Sequence, residues 1–305
     1  MQLASIICLI AVMVIRLSVY CRGSSCGDVN EDSGDFNCGN GGCDASSFGN
    51  FNRPWIWGST EDGEIIFESL TSETLDGALN VIRTSFFTDE NMCKGCGLLS
   101  ELGASEEVEQ LILEIVKDGI SIVAKDVITN EVVGTIFNKL FTPGDGSLVS
   151  QLKKCRKNLK YEAAKCFIDS FIDVESRVDL FERYNADCIM EMTFLAARRD
   201  YRRRGIAGLL VSSSIKLGRQ LYKGMPVNIS VNNDGKSITN GDNIPSLIAA
   251  TMSSKYSQKL LDKFAFVKVL EVSLNEVMFE GISLSEKIGN TNQTAIIGVK
   301  SLYTN

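Results

Sequence analysis

The sequence predicts an α/β fold: a mixed, partly antiparallel central sheet flanked by helices. Three observations predict it. Short apolar runs such as residues 64–67, 188–197 and 294–302 have the length and β-branched content of strands. Longer segments between them carry apolar residues at three- and four-residue spacing, as amphipathic helices do. Residues 120–124 and 132–137 flank a Thr129-Asn130 turn and read as an antiparallel hairpin, whereas other strands are separated by helices.

Patterned sequence begins at Arg53-Pro54-Trp55-Ile56-Trp57 and runs to Asn305 without a second linker, which fits one domain over residues 53–305. Glu64-Ile65-Ile66-Phe67 reads as a strand. Ser72 is placed to cap a helix with Leu75, Leu79, Ile82 and Phe86 on one face. Ser105 is placed to cap the next, with Glu106 and Glu107 in the first turn, where the helix dipole favours acids. Its apolar stripe is Val108, Leu111, Ile112, Ile115 and Val116, and Gly119 ends it. After the hairpin, residues 148–184 look helical with strongly charged faces. Residues 188–197 form an apolar strand. Residues 205–222 form a helix with Ile206, Leu209, Leu210, Ile215, Leu217 and Leu221. Residues 246–251 are a strand, 255–264 a helix, and 266–270 and 294–302 the last strands. Residues 232–243 are a loop rich in Asn, Asp and Gly.

The first 52 residues differ. Leu3 to Ile15 is an apolar run followed by Arg16. It is shorter than the roughly 20 residues of a membrane span and suits a signal-peptide core. No positive charge precedes it and no A-x-A site follows, so residues 1–22 stand as a signal, an anchor, or a segment that a shorter product lacks. Residues 23–52 are rich in Gly, Asn, Ser and Asp and are expected to be a disordered linker. The spacing of Cys21, Cys26, Cys38 and Cys43 matches no tight zinc knuckle, which leaves lone thiols or secretory disulfides.

Composition narrows the chemistry. The chain has 305 residues, a net charge of −7 and no histidine. The acidic balance gives no reason to expect a nucleic-acid partner. Without imidazole, Ser-His-Asp and Cys-His nucleophilic sites and imidazole metal sites are excluded. Cys93-Lys94-Gly95-Cys96 is a lone C-x-x-C without a second pair, so structural or free thiols are expected rather than zinc. Asn228-Ile229-Ser230 and Asn292-Gln293-Thr294 are glycosylation sequons only on a secretory route.

The junction at residues 195–208 carries the most information. It reads strand, basic turn, glycine, helix: Leu195-Ala196-Ala197-Arg198-Arg199-Asp200-Tyr201-Arg202-Arg203-Arg204-Gly205-Ile206-Ala207-Gly208. Free amides at a helix N-terminus bind phosphate. Gly205 permits close backbone approach, and Ala207 and Gly208 leave room. The bland alternative is a solvated basic turn or a nucleic-acid patch; the strand-to-helix context favours phosphate.

Arg202-x-x-Gly205-x-Ala207 resembles the [QR]-x-x-G-x-[GA] signature of the GCN5-related N-acetyltransferase superfamily. Three further segments resemble insect arylalkylamine N-acetyltransferases: Ser85-Phe86-Phe87-Thr88-Asp89-Glu90, Val133-Gly134-x-x-Phe137-Asn138, and Ser253-Ser254-Lys255-Tyr256-Ser257-Gln258-Lys259-Leu260. They occur in family order and cover most of residues 55–270. The resemblance implies an acetyl-CoA-dependent N-acetyltransferase acting on a small amine by direct attack in a ternary complex, without a metal. Leu195 and Ala197 would pair with the pantetheine, and Arg202, Arg203, Arg204, Gly205, Ile206, Ala207 and Gly208 would form the diphosphate loop. Glu90 would be the general base, with a helix-end charge paired to Lys94 as the bland reading. Ser253 and Ser257 would bind amine or relay a proton, with helix capping as theirs.

Departures accompany the resemblance. Leu261 stands where vertebrate relatives have a tyrosine acid, the following stretch is Phe264-Ala265-Phe266, and Lys255 replaces a common histidine. Tyr256 is a substitute acid or a packing aromatic. These departures motivate one rival, a catalytically inactive acyl-CoA-binding protein, and the apolar start with the N-terminal cysteines motivates another, a secreted, disulfide-linked interaction module. A cytoplasmic monomer is expected from acetyl-CoA supply, with the secretory route as the alternative and membrane contact only through the N-terminal run.

Overall fold

The computed structural model describes residues 53–231, 243–289 and 293–303. The N-terminal segment, the linker and most of the 232–243 loop lie outside the described residues.

The strands are β1 (Ile56–Ser59), β2 (Ile65–Ser69), β3 (Ile122–Asp126), β4 (Val132–Phe141), β5 (Ile189–Ala197), β6 (Leu247–Met252), β7 (Val267–Ser273), β8 (Met278–Phe279), β9 (Ile282–Ser283) and β10 (Thr294–Ser301). Eight of them form one sheet in the order β1-β2-β3-β4-β5-β6-β10-β7, and β8 pairs with β9 in a small ribbon. Neighbours in the large sheet are antiparallel except β5 and β6, which are parallel. The β3–β4 hairpin is the one expected from sequence, with Asn130 left-handed in its turn (φ 60°).

The helices are α1 (Ser72–Val81), α2 (Asn91–Gly95), α3 (Ala104–Val116), α4 (Leu148–Arg156), α5 (Glu162–Glu175), α6 (Leu180–Tyr184), α7 (Ile206–Tyr222), α8 (Lys255–Lys263) and α9 (Leu284–Ile288). Alternation along the strands sends side chains to two cores. On one face Val123 and Phe137 pack with Val108, Ile112, Phe167 and Val174 of α3 and α5. On the other, Ile122 and Ile136 pack with Ile206, Leu210 and Leu217 of α7.

Local corrections have local causes. Thr71, not Ser72, is the N-cap of α1; the Thr71 amide donates to Thr74 Oγ1 at 2.9 Å, forming half of a capping box. The N-cap of α3 is Gly103 in a left-handed conformation (φ 94°), not Ser105, which lies inside the first turn. The helical stretch 148–184 is divided among three helices, and Asp179 caps the third by accepting the amides of Phe181 and Glu182. After α1 the chain makes a π-helical turn, Ile82–Phe86, and one α-turn, Phe87–Asp89, before α2. That wider turn sets where Asp89 and Glu90 emerge.

The C-x-x-C does not act as a pair. Cys96, at the end of α2, forms a disulfide with Cys166 of α5, and Cys93 is a buried free thiol.

Candidate active site

The site begins where the sheet opens. β5 and β6 pair only from Ile189↔Leu247 to Met192↔Ala250. β5 then stays on β4 as far as Ala197, with a bulge at Thr193 opposite the Phe137–Asn138 step. The bulge inserts one residue and reverses which side chains face each core: Met192 packs toward α7, and Phe194 toward α5. Beyond Met192 the β6-facing edge of β5 has no strand partner among the described residues.

A cleft of about 650 Å³ fills this opening. At one end it is lined by Leu195, Ala197, Arg203 and Ala207 and at the other by Glu90, Ser253 and Ser257, and the Arg202–Asp89 ion pair also lines it. Tyr256 and Leu260 form its α8 wall.

At the first end, Arg203 (φ 67°) and Gly205 (φ 75°) are both left-handed, and Gly205 is the N-cap of the 17-residue α7. Left-handed residues in alternation are the backbone pattern that can gather amides on one side of a turn, and the N-terminus of α7 follows directly. A Cβ on Gly205 would meet nothing within 4 Å, so the backbone angle rather than crowding requires glycine. At the second end, Glu90 is the N-cap of α2. Its Oε2 accepts the Cys93 amide at 2.7 Å, and its Oε1 accepts a short hydrogen bond from the Ser253 hydroxyl. Asn91 Nδ2 donates to the Ser253 carbonyl at 2.7 Å, which pins the end of β6 to α2.

Neither a scan of protein-family models nor a search of curated proteins returned a match. Solved structures do match. Arylalkylamine N-acetyltransferase 2 from Aedes aegypti superposes with a TM-score of 0.62 at 20% identity, over 78% of this chain and 99% of that one. A putative arylalkylamine N-acetyltransferase 7 from the same mosquito gives 0.62 at 18% identity, over 82% and 96%. A Drosophila melanogaster polyamine N-acetyltransferase that forms N-acetylagmatine gives 0.60 at 12% identity, over 78% and 99%.

The chain has the GCN5-related N-acetyltransferase fold.

Within this fold the five arginines of the basic turn divide their tasks. Arg198 pairs with Glu131 and Asp200. Arg199 and Arg202 both pair with Asp89. Arg204 pairs with Glu64 and Asp62 and lies over the Tyr201 ring. Arg203 has no ion pair among the described residues, and it lines the cleft. The surplus of arginine in the sequence is thus largely committed to neighbouring carboxylates. Hydrogen bonds from Arg199 and Arg202 hold the Asp89 carboxyl down at about 2.

Not every residue of the sequence motif reaches the cleft. The Arg204 side chain turns away to Glu64. Ile206 is buried beneath β4: a Cβ on Gly134 would lie 2.8 Å from Ile206 Cγ2, so the glycine of the Val133-Gly134 segment lets α7 approach the sheet. A Cβ on Gly208 would lie 3.3 Å from Lys263 Nζ and 3.9 Å from Leu260 Cδ2, so Gly208 faces side chains of α8.

The bland reading of Glu90 changes: it makes no ion pair with Lys94 among the described residues, and it caps α2 instead. Ser257 takes part in a capping box with Ser254, their hydroxyls 2.9 Å apart, while it also lines the cleft. Leu261 is 1% exposed and packs in the α7-side core, so it does not face the cleft; Leu260 does. Tyr256 is 73% exposed on the cleft wall and is not a packing aromatic. Sequence reasoning missed Asp89 as an arginine clamp, Asn91, and Thr251 on the cleft wall. Adjacent acids at a helix end were the one local signal for Asp89.

Proposed function

We propose that the protein is an acetyl-CoA-dependent N-acetyltransferase that acetylates small primary amines in a ternary complex. The observation that carries this reading is that one cleft joins a loop suited to anions, a strand edge unpaired among the described residues and a half-buried carboxylate–hydroxyl pair. Arg203 and the loop amides around Gly205 suit the diphosphate of acetyl-CoA. The open edge of β5, with Leu195 and Ala197, suits the pantetheine amides, and a β5 amide would polarise the thioester carbonyl.

An alkylammonium, with a pKa near about 10, must lose a proton before it attacks. Glu90 takes that proton, directly or through water. The amine nitrogen then bonds to the carbonyl carbon, the C–S bond breaks, the nitrogen sheds its extra proton to become a neutral amide, and the departing thiolate takes up a proton in exchange. Holding both substrates in one cleft supplies the orientation. Ser253, bonded to Glu90, orients the carboxylate or the amine. Ser257 and Tyr256 stand on the wall from which the thiolate can be protonated. By resemblance, arylalkylamines are the first acceptor class to screen.

Formation of Cys96–Cys166 requires an oxidising environment, which weighs for the secretory alternative over the cytoplasmic expectation. Within the Asn228 sequon, the Asn228 side-chain amide donates to the Asp118 carbonyl at 2.7 Å, a bond that a glycan there would break.

The test is calorimetric titration of the full chain with acetyl-CoA. Saturable binding that Gly205→Glu abolishes in a folded protein supports the reading. Absence of binding to folded wild type removes it.

A further inference from the structure

Glu90 is carried by a short element. α2 spans five residues, Asn91–Gly95, with Glu90 as its N-cap. A helix of that length does not hold itself, so its place is set by what anchors it. At its start, Asn91 Nδ2 donates to the Ser253 carbonyl at 2.7 Å and to Gln293 Oε1 at 2.9 Å. At its end stands Cys96, bonded to Cys166 of α5. Cys96 lies six positions after Glu90, about 9 Å along a helix. The far side of the link reaches the same cleft, because Phe171, five positions beyond Cys166 on α5, lines it. The disulfide therefore braces two walls of one cleft, the α2 wall that carries the carboxylate and the α5 wall.

The interior also accommodates the opened link. Ser170 Oγ lies 3.6 Å from Cys96 Sγ, and its hydroxyl donates to the Cys166 carbonyl at 2.7 Å. A Cys96 thiol therefore has a polar neighbour among buried apolar side chains, where an unpartnered polar group is costly. Cys93, the third cysteine here, is 1% exposed, and burial together with the Glu90 charge pushes its thiol well up. Exchange needs a thiolate, so Cys93 does not compete for the link. Cys96 and Cys166 are 4% and 2% exposed. A reductant therefore reaches the link only when α2 lifts locally, which is the motion the link opposes.

We propose that the Cys96–Cys166 disulfide positions Glu90, so that turnover in the cleft requires the oxidised link. This rests on the acetyltransferase reading above and adds its regulation. A dithiol reductant switches the site off. One of its thiolates attacks a link sulfur and forms a mixed disulfide, and its second thiol breaks that bond by closing the reductant's own disulfide. Two electrons pass to the protein, and Cys96 and Cys166 end as thiols carrying the two protons of the dithiol. α2 then loses the anchor at its end. A displacement of about 1 Å at the base is enough to cost up to about a hundredfold in rate. Acetyl-CoA, held at the other end of the cleft, keeps its site.

The test measures kcat and the acetyl-CoA Kd of the full chain, oxidised and after dithiothreitol, with thiol counting to follow the link and thermal melting to follow the fold. Reduction should lower kcat by at least about tenfold and change Kd by less than about threefold, and re-oxidation should restore kcat. Cys166→Ser should start at the reduced rate and not respond to dithiothreitol. In Glu90→Gln, reduction should lower the residual rate by less than about twofold, because positioning of an absent base cannot be lost; a link that only stabilises the fold would lower both backgrounds alike. A wild-type kcat within about twofold of its oxidised value once the link is counted open overturns the proposal. So does an equal loss in Glu90→Gln, or global unfolding on reduction, since the link would then hold the fold rather than the base. If the oxidised protein binds acetyl-CoA without turnover, the transferase reading fails, and amide hydrogen exchange decides the positioning alone. Exchange at Cys93, whose amide donates to Glu90 Oε2 at 2.7 Å, should quicken at least about tenfold on reduction while α7 amides stay unchanged; equal rates at Cys93 in both states overturn it.

Discussion

Glu90→Gln separates the chemical role of Glu90 from its structural one. Glutamine keeps a side-chain oxygen for the Cys93 amide, now 2.7 Å from Glu90 Oε2, so the α2 cap is weakened rather than lost. Losing the charge of an N-cap costs about 1 kcal/mol, or roughly 2–4 °C in a domain of this size. Losing a general base costs about 10²- to 10⁴-fold in rate, roughly 3–5 kcal/mol of barrier. The two effects are far enough apart to be read in one experiment. The assay measures kcat against pH at saturating acetyl-CoA, with the acetyl-CoA Kd by calorimetry and the melting temperature alongside. We expect kcat to fall by about two to four orders of magnitude while Kd changes by less than about threefold. The residual rate of the variant should keep rising with pH toward the amine pKa near about 10, because only free amine can then react. A kcat within about threefold of wild type, with a lowered melting temperature, would refute the base assignment and leave Glu90 as a cap. An acyl-CoA binder without catalysis would show no wild-type turnover to lose.

Four further outcomes are expected. Arg203→Ala should weaken acetyl-CoA binding by about tenfold, whereas Arg204→Ala, whose guanidinium is taken up by Glu64 and Asp62, should change it by less than about twofold; calorimetry showing the reverse order would reassign the loop. Gly134→Ala places a Cβ 2.8 Å from Ile206 Cγ2 and 3.3 Å from the Ala196 carbonyl oxygen. It should destabilise by about 1–3 kcal/mol, and an unchanged or higher melting temperature would contradict that packing account. Removing the Cys96–Cys166 link, which spans 70 residues, should cost up to about 4 kcal/mol by loop-closure entropy, measured as a lower denaturant midpoint in Cys166→Ser; thiol counting on native material decides whether the link forms in the cell. Finally, burial raises the Glu175 carboxyl, so the folded state retains a proton that the unfolded chain has already lost. Stability should therefore fall as pH rises from the unfolded value, about 4.3, through the raised folded value, with Glu191, Lys139 and Thr251 facing the group. Glu175→Gln should flatten that slope in urea midpoints between about pH 5 and 8, and a wild-type midpoint that rises across this window would contradict the sign.

Much of the fold was legible because its signals are local. Three- and four-residue spacing marked α3 and α7, and short apolar runs marked β2, β5 and β10. Gly205 was legible as the turn into α7 because a left-handed N-cap is a demand on one residue's own backbone. Short elements escaped: β1, the β8–β9 ribbon and α9 are two to five residues long, too short for a period to show. Adjacent hydroxyls at Thr71 and Ser72 gave no local basis for choosing the cap.

The tertiary structure decided which groups meet. Ser253 and Glu90 are 163 residues apart, and they touch because β6 and α2 converge at the mouth of the opened sheet. Arg203 faces the cleft while its neighbours are paired away, because Asp89, Glu64, Asp62, Glu131 and Asp200 arrive from other elements. Likewise Glu175 and Glu191 line one apolar pocket only because α5 packs under β5 and β6. Residue order along the chain encodes torsional preference and hydrophobic period, which act over one or two turns. Electrostatic pairing and burial depend on distance in space, and the sheet order set those distances.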